Sequence, residues 1–222
     1  MTEHKNTVEL VGTYGSDQTH ALSAWTSTSR DLTPEKIQRI PKLLKMLGDE
    51  QHGTPFEKSA IHFLITTDMA SHIHILKHRI GVSFNGESAR YKELKEDKYY
   101  IPDDWAQDEQ VLLIQHCEES LQKYHACLTR LVASGVDKKR AKESARFYLP
   151  YSNQLTADVQ FNFRSFMHFV HLRNSKHAQK EIRDIARQML IYVHETDLFD
   201  ASLKAFGWTK EKIYADQSVV SI

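Results

Sequence analysis

Apolar positions alternate in two stretches of the chain and recur at helical spacing through most of the rest. In SAIHFLITT, Ile61, Phe63 and Ile65 alternate with His62 and Leu64, the period of a strand buried on one face. Leu155, Ala157, Val159 and Phe161 repeat that alternation, and VELVGT at 8–13 reads as a third, shorter strand. Helices are announced by their caps. Asp17 or Thr19 precedes ALSAWTSTSR, Thr33-Pro34-Glu35 opens a helix to about Gly48, and Asp68 opens DMASHIHILKHR. Asp103 or Asp104 opens a long helix that Gly135 closes, and Asp137 opens a shorter one that Pro150 ends. Further helices are predicted at Phe163 to Arg173, Ala178 to Thr196 and Ala201 to Phe206. After Asp68, Ile73, Leu76 and Ile80 recur at helical spacing, while His74, Lys77 and His78 share a different face. From Arg79 to Asp103 no period holds, which predicts a long polar loop with one short extended piece, and a loop of that length favours a functional role. The pattern as a whole predicts one domain of mixed α and β content.

Composition narrows what such a domain binds. The 222 residues are 41% hydrophobic, enough for a real core, and 29 basic side chains balance 29 acidic ones. No global field draws the molecule to a nucleic-acid polymer or an anionic membrane, so an anion site has to be local. MTEHKNTVEL lacks the features of a signal peptide and no apolar run approaches a membrane span, which predicts a cytoplasmic protein. Cys117 and Cys127, ten apart in a helical segment, suit neither a disulfide framework nor a zinc site and are expected to be inert thiols. Thirteen histidines include the group His62, His72, His74 and His78, yet HExxH is missing. His74 and His78, at i and i+4, leave open a metal-dependent nucleotide hydrolase, although the expectation is that no metal is held. GxSxG, GxGxxG and GxxxxGK[ST] are all missing, so a nucleotide would be held by side chains instead of a glycine-rich turn.

Those side chains are present. KHRIGVSFNGESARYKE at 77–93 gathers Lys77, His78, Arg79, Ser83, Asn85, Glu87, Ser88, Arg90 and Tyr91 with few apolar residues. Arg146, Arg164 and Arg173 add forks able to pair with two phosphate oxygens at once. On the helix FRSFMHFVHLR, Arg164, His168 and His171 line one face, and Arg173 comes out near Phe166 and Phe169. The first three suit the wet side of an amphipathic helix or a ligand equally. Arg173 differs, because a guanidinium beside core residues needs a partner anion or acceptor.

Taken together these segments resemble the flavin-dependent thymidylate synthases, whose motif is close to RHRxxSxNExSxRY. Here it reads Lys77-His78-Arg79, then Ser83, Asn85, Ser88, Arg90 and Tyr91, and HGTPFE at 52–57, ARFYLP at 145–150, NFRSFMHFVHLR at 162–173 and HAQKEIR at 177–183 look like further family blocks in family order. The resemblance, covering about residues 8–207, implies an α+β single domain over 1–222 with a mixed sheet flanked by helices, assembled as a homotetramer whose subunits share flavin sites. It implies FAD held by Thr54, by Lys77, His78 and Arg79, and by Asn162, Arg164 and His168. It implies dUMP held by His74, Lys77, Glu87, Ser88, Ala89, Arg90, Arg146 and Arg173, with NADPH and methylenetetrahydrofolate as co-substrates. Arg173 would stabilise negative charge on the uracil and Ser88 would orient it, giving dTMP without a cysteine nucleophile. Two departures stand out: Lys77 replaces the usual arginine, and eight residues instead of seven separate Arg79 from Ser88, so that Gly86 stands where the family usually has glutamate and the acid moves to Glu87. Those departures keep a non-catalytic nucleotide-binding module in view.

Overall fold

The computed structural model describes residues 4–88 and 98–215. Its strands are β1 (Thr7–Tyr14), β2 (Ala60–Asp68), β3 (Val82–Gly86) and β4 (Gln154–Phe161), in the sheet order β1-β2-β4-β3. The two alternating stretches become β2 and β4: Ile61, Phe63 and Ile65 are buried on one, Leu155, Ala157, Val159 and Phe161 on the other. The extended piece expected in the polar loop is β3. The helices are α1 (Asp17–Trp25), α2 (Pro34–Asp49), α3 (Met69–Leu76), α4 (Gln107–Ala133), α5 (Lys138–Ala145), α6 (Phe163–Arg173), α7 (Lys180–Glu195), α8 (Asp200–Ala205) and α9 (Lys210–Tyr214). Short 3-10 turns occupy Thr54–Glu57 and Arg146–Tyr148. The fold is α+β, as expected, and among the described residues no helix is long and apolar enough to cross a membrane.

The chain divides into two compact units. The described residues of Met1–Thr7, Ile65–Lys77 and Asn85–Ala157 form one. There α5 packs against α4 over a core of Tyr124, Leu128, Ala141, Ala145 and Leu155, and a second cluster joins Tyr99, Ile101, Cys117 and Leu121. At its start Asn6 donates to the Asp68 carboxylate (2.7 Å), the residue that also caps α3 through the N–H of Ser71 (2.8 Å).

Val8–Leu64, His78–Phe84 and the described part of Asp158–Ile222 form the other unit. Its core is phenylalanine-rich: Phe163 stacks on Phe199 at 5.3 Å and Phe56 meets Phe206 edge-on at 5.0 Å. Buried among Phe56, Phe163 and Phe199 lies His20, with Nδ1 2.8 Å from the Ser202 hydroxyl and Nε2 3.0 Å from the Ser59 hydroxyl. Burial lowers its pKa to about 4, so the ring is neutral at physiological pH. The Ser59 oxygen also accepts the N–H of Phe163 (3.3 Å), so the first residue of α6 is tied to α1 and α8 through one buried imidazole.

Several sequence expectations need correction. α1 is capped by Ser16, not by Asp17 or Thr19, because the Asp17 carboxylate is engaged by the N–H groups of Ala201 (2.7 Å) and Ser202 (2.8 Å) in α8. α4 begins at Gln107 behind Ala106, so neither Asp103 nor Asp104 caps it. α3 stops at Leu76, with Lys77 at its C-cap; its buried side chains are Ser71, His72 and Ile75, whereas Leu76 is exposed and Ile80 is 90% exposed. His74 and His78 are therefore not successive turns of one helix. α7 starts at Lys180, two residues later than expected, and the 3-10 turn at Thr54 and helix α9 had no counterpart in the sequence reading.

Candidate functional site

Helix α6 gathers residues that are far apart in sequence. Its cap is Asn162, whose side chain accepts the N–H of Ser165 (2.8 Å) while its own N–H donates to the carbonyl of Gly81 (3.0 Å). Gly81 has φ +64, and a Cβ there would come within 2.2 Å of Asn162 Nδ2 and 2.3 Å of Ser165 Oγ. Only glycine fits both the conformation and the space. Arg164, exposed on the next turn, lies across Gly53, where a Cβ would sit 2.4 Å from its Nε, and its Nη1 donates to Glu57 at 2.7 Å. The guanidinium is thus carried beside the turn that Thr54 opens. One turn further, the exposed His168 ring lies 6.0 Å from that of His78. At the end of α6, Arg173 Nε donates to His78 Nε2 at 3.0 Å, and His78 stands edge-on to Phe169 at 4.9 Å.

Three sequence segments therefore meet on one helix, all within the second unit: the turn at Gly53 to Glu57, the chain from His78 to Gly81, and α6 itself. The helical geometry expected from sequence holds, since Arg164, His168 and His171 are exposed while Phe166 and Phe169 are buried, and Arg173 is half-buried. For Nε of Arg173 the acceptor is an imidazole nitrogen. A guanidinium can only donate, so Nε2 of His78 carries a lone pair in this arrangement and the neutral ring keeps its proton on Nδ1. At the start of α6 the N–H groups of Phe163, Ser165 and Phe166 are taken up by the Ser59 hydroxyl, the Asn162 side chain and the Asn162 carbonyl, which leaves the partial positive charge of the helix start and the guanidinium of Arg164 as the features there that favour an anion.

The remaining candidates occupy other elements. In the first unit His74 is half-buried on α3, Lys77 is exposed at its C-cap, and Arg146 is exposed at the start of its 3-10 turn. Glu87 follows β3, its N–H donating to the carbonyl of Thr156 (2.8 Å) and its carboxylate accepting the N–H of Thr156 (3.3 Å). Ser88, half-buried, comes next; Ala89, Arg90 and Tyr91 lie outside the described residues. Arg79, in the second unit, is exposed. Counted from Ser83, the spacing Ser-x-Asn and then Ser-x-Arg-Tyr equals the motif, so the extra residue falls between Arg79 and Ser83, at the Gly81 turn. Sequence reasoning missed Gly53, Glu57, Gly81 and Ser165. All four stand inside quoted blocks, the first two in HGTPFE, Gly81 in KHRIGVSFNGESARYKE and Ser165 in NFRSFMHFVHLR, but the partners that give them a role lie in other segments. Among the described residues no group of three or more His, Cys, Asp or Glu side chains could hold a metal ion.

A family model, thymidylate synthase complementing protein, matches residues 9–197. The chain belongs to that family. Members of the thymidylate synthase complementing protein family that resemble it include a flavin-dependent thymidylate synthase of Thermosipho melanesiensis, 32% identical over 198 residues with 82% of each chain covered. Another, from Tropheryma whipplei, is 33% identical over 190 residues, covering 77% of each. Among solved structures, a UMP/dUMP methylase PolB from Streptomyces cacaoi bound with 5-Br dUMP superposes with a TM-score of 0.77 at 27% identity, over 92% of this chain and 96% of that one. The same methylase bound with 5-Br UMP gives 0.74 at 27% identity, over 91% and 94%.

Proposed function

We propose that the chain is a methyltransferase that converts dUMP to dTMP, taking the one-carbon unit from methylenetetrahydrofolate and using FAD reduced by NADPH. The observation that carries this reading, beside family membership, is the convergence of Gly53 to Glu57, His78 to Gly81 and Asn162 to Arg173 on helix α6. All the FAD residues of the resemblance except Lys77 fall in these segments. They suit a dinucleotide: the Arg164 guanidinium and the partial positive charge at the start of α6 favour a pyrophosphate, and Gly53 and Gly81 keep the backbone free of side chains that would crowd it. Thr54, Lys77, His78, Arg79, Asn162, Arg164 and His168 would hold FAD. When bound, FAD takes hydride from NADPH and supplies the hydride that completes the methyl group.

The chain's own task is to make C5 of uracil nucleophilic and to hold it still. Arg173 places positive charge against the imide, favouring the form in which electron density shifts towards C5. Ser88 orients the pyrimidine, and Lys77, Arg90 and Arg146 bind the phosphate, with His74, Glu87 and Ala89 as further contacts to the nucleotide. Lys77 meets an anion as a point charge, without the fork of arginine. Cys117 has no part in this, since burial raises its pKa and keeps the thiol protonated. A single domain over 1–222 acting in the cytoplasm as a homotetramer completes the reading; the exposed Ile80 and Phe147 are apolar surfaces that subunit contact would bury.

The two solved neighbours are described as methylases of UMP as well as dUMP, which favours a second reading in which UMP is also accepted. One experiment addresses both. The purified protein is expected to carry a yellow flavin that NADPH bleaches and that dUMP with methylenetetrahydrofolate restores, with dTMP identified chromatographically; UMP is run in parallel. A protein that takes up no flavin, or that hydrolyses dUMP only when metal is added, overturns the proposal. Tight dUMP binding without turnover would make it a binding module.

A further inference from the structure

We propose that His78 is a positioning residue for Arg173, orienting its guanidinium through a hydrogen bond at Nε. The inference rests on the reading of Arg173 as the group that stabilises charge on the pyrimidine. A hydrogen bond through Nε fixes the plane of a guanidinium about its last side-chain bond, and with it the direction in which Nη1 and Nη2 project. Here that bond goes to His78 Nε2 at 3.0 Å, and the imidazole is itself held edge-on against the buried Phe169 (4.9 Å) and beside His168 (6.0 Å). The choice of acceptor matters. A carboxylate at this place would orient Arg173 equally well but would bring a negative charge against Nε, whereas a neutral imidazole orients it at Nε and brings none of its own. The contact also joins the motif segment at His78 to the last turn of α6 within one compact unit, so the group expected at the flavin and the group expected at the pyrimidine are mechanically coupled.

His78→Phe keeps the ring against Phe169 and removes the acceptor; His78→Gln replaces Nε2 by an amide oxygen that still accepts. Both are measured on flavin-loaded protein for flavin content and for dUMP affinity by calorimetry, in the Arg173 and the Arg173→Ala backgrounds. His78→Phe is expected to weaken dUMP binding about tenfold when Arg173 is present and less than about twofold when it is absent. His78→Gln should recover most of the loss. An equal loss in both backgrounds, a Gln variant as weak as the Phe variant, or loss of flavin in proportion to loss of dUMP affinity each overturns the proposal. A readout that needs no ligand separates this from the function itself: imidazole nitrogen NMR of the free protein should show Nε2 bare and accepting a hydrogen bond, with its resonance shifted in Arg173→Ala. Wild-type protein that fails to bind dUMP sinks the functional reading, and an Nε2 resonance of His78 that does not move in Arg173→Ala sinks this one.

Discussion

Single atoms decide most of what α6 can do. Gly81 is the sharpest case: its positive φ would cost an L-residue about 1 kcal/mol, and a Cβ would be driven against Asn162 and Ser165 at 2.2 and 2.3 Å. Both neighbours belong to the helix cap, so Gly81→Ala should disturb the start of α6 first. The expected result is a roughly tenfold loss of FAD affinity, followed by visible absorbance on titration, with a small drop in melting temperature. Ser165→Ala in the same chain frees space at one of the two contacts and should restore part of the affinity. At the other end of the helix, Arg173→Ala is expected to abolish dTMP formation while flavin stays bound, as chromatographic product analysis and the flavin spectrum would report. Loss of flavin with retained turnover would reverse the assignment of the two ends.

Among the elements, those with a strong period and their own cap were legible from sequence, and those set by distant partners were not. Thr33, Asp68 and Asp137, read as caps, each cap the helix that follows, Asn162 caps α6 without having been read as a cap, and β2 and β4 carry alternation that fixes their buried face. Asp17 misled because its carboxylate meets the second and third residues of α8, acting as the cap of a helix more than 180 residues away. No local pattern could reveal that. The α6 site follows the same rule: Arg164, His168 and Arg173 were readable from their spacing, but the partners Glu57, Gly81 and His78 come from other segments. His20, which ties α1 to Ser59 and to Ser202 of α8, gives a testable pH dependence. Its pKa in the folded protein is about 4 against about 6.5 unfolded, so the unfolded chain takes up the proton first as pH falls. Stability should be full above about pH 6.5 and decline towards pH 4, by about 3 kcal/mol in total from this group. Asp17 works in the opposite sense: burial raises its pKa, so its contribution weakens as pH rises from the ordinary carboxylate range. Denaturant melts of wild type and His20→Gln between pH 4 and 7 should show the slope flattened in the variant; an unchanged slope removes His20 from the account.

For the whole molecule the question is where the catalytic power resides if no sulfur takes part. Cys117 and Cys127 both lie on α4, in the first unit, whose core they help to fill. Cys117 is fully buried with Sγ 3.0 Å from the Ser152 hydroxyl, and burial pushes its thiol pKa up, the reverse of what a nucleophile needs. Cys127 is half-buried against the Tyr124 and Leu128 cluster. Catalysis by charge placement predicts that the Cys117→Ser, Cys127→Ser double variant turns over dUMP within about twofold of wild type, since neither thiol touches the chemistry. The cost should appear in stability instead: a hydroxyl exchanged for sulfur in a packed site is expected to lower it by about 1–2 kcal/mol in a denaturant melt. Initial rates of dTMP formation at saturating flavin, measured below the melting temperature, separate the two effects. A folded, flavin-loaded double variant without turnover would return a covalent thiolate step to the mechanism and take from Arg173 the role argued for it.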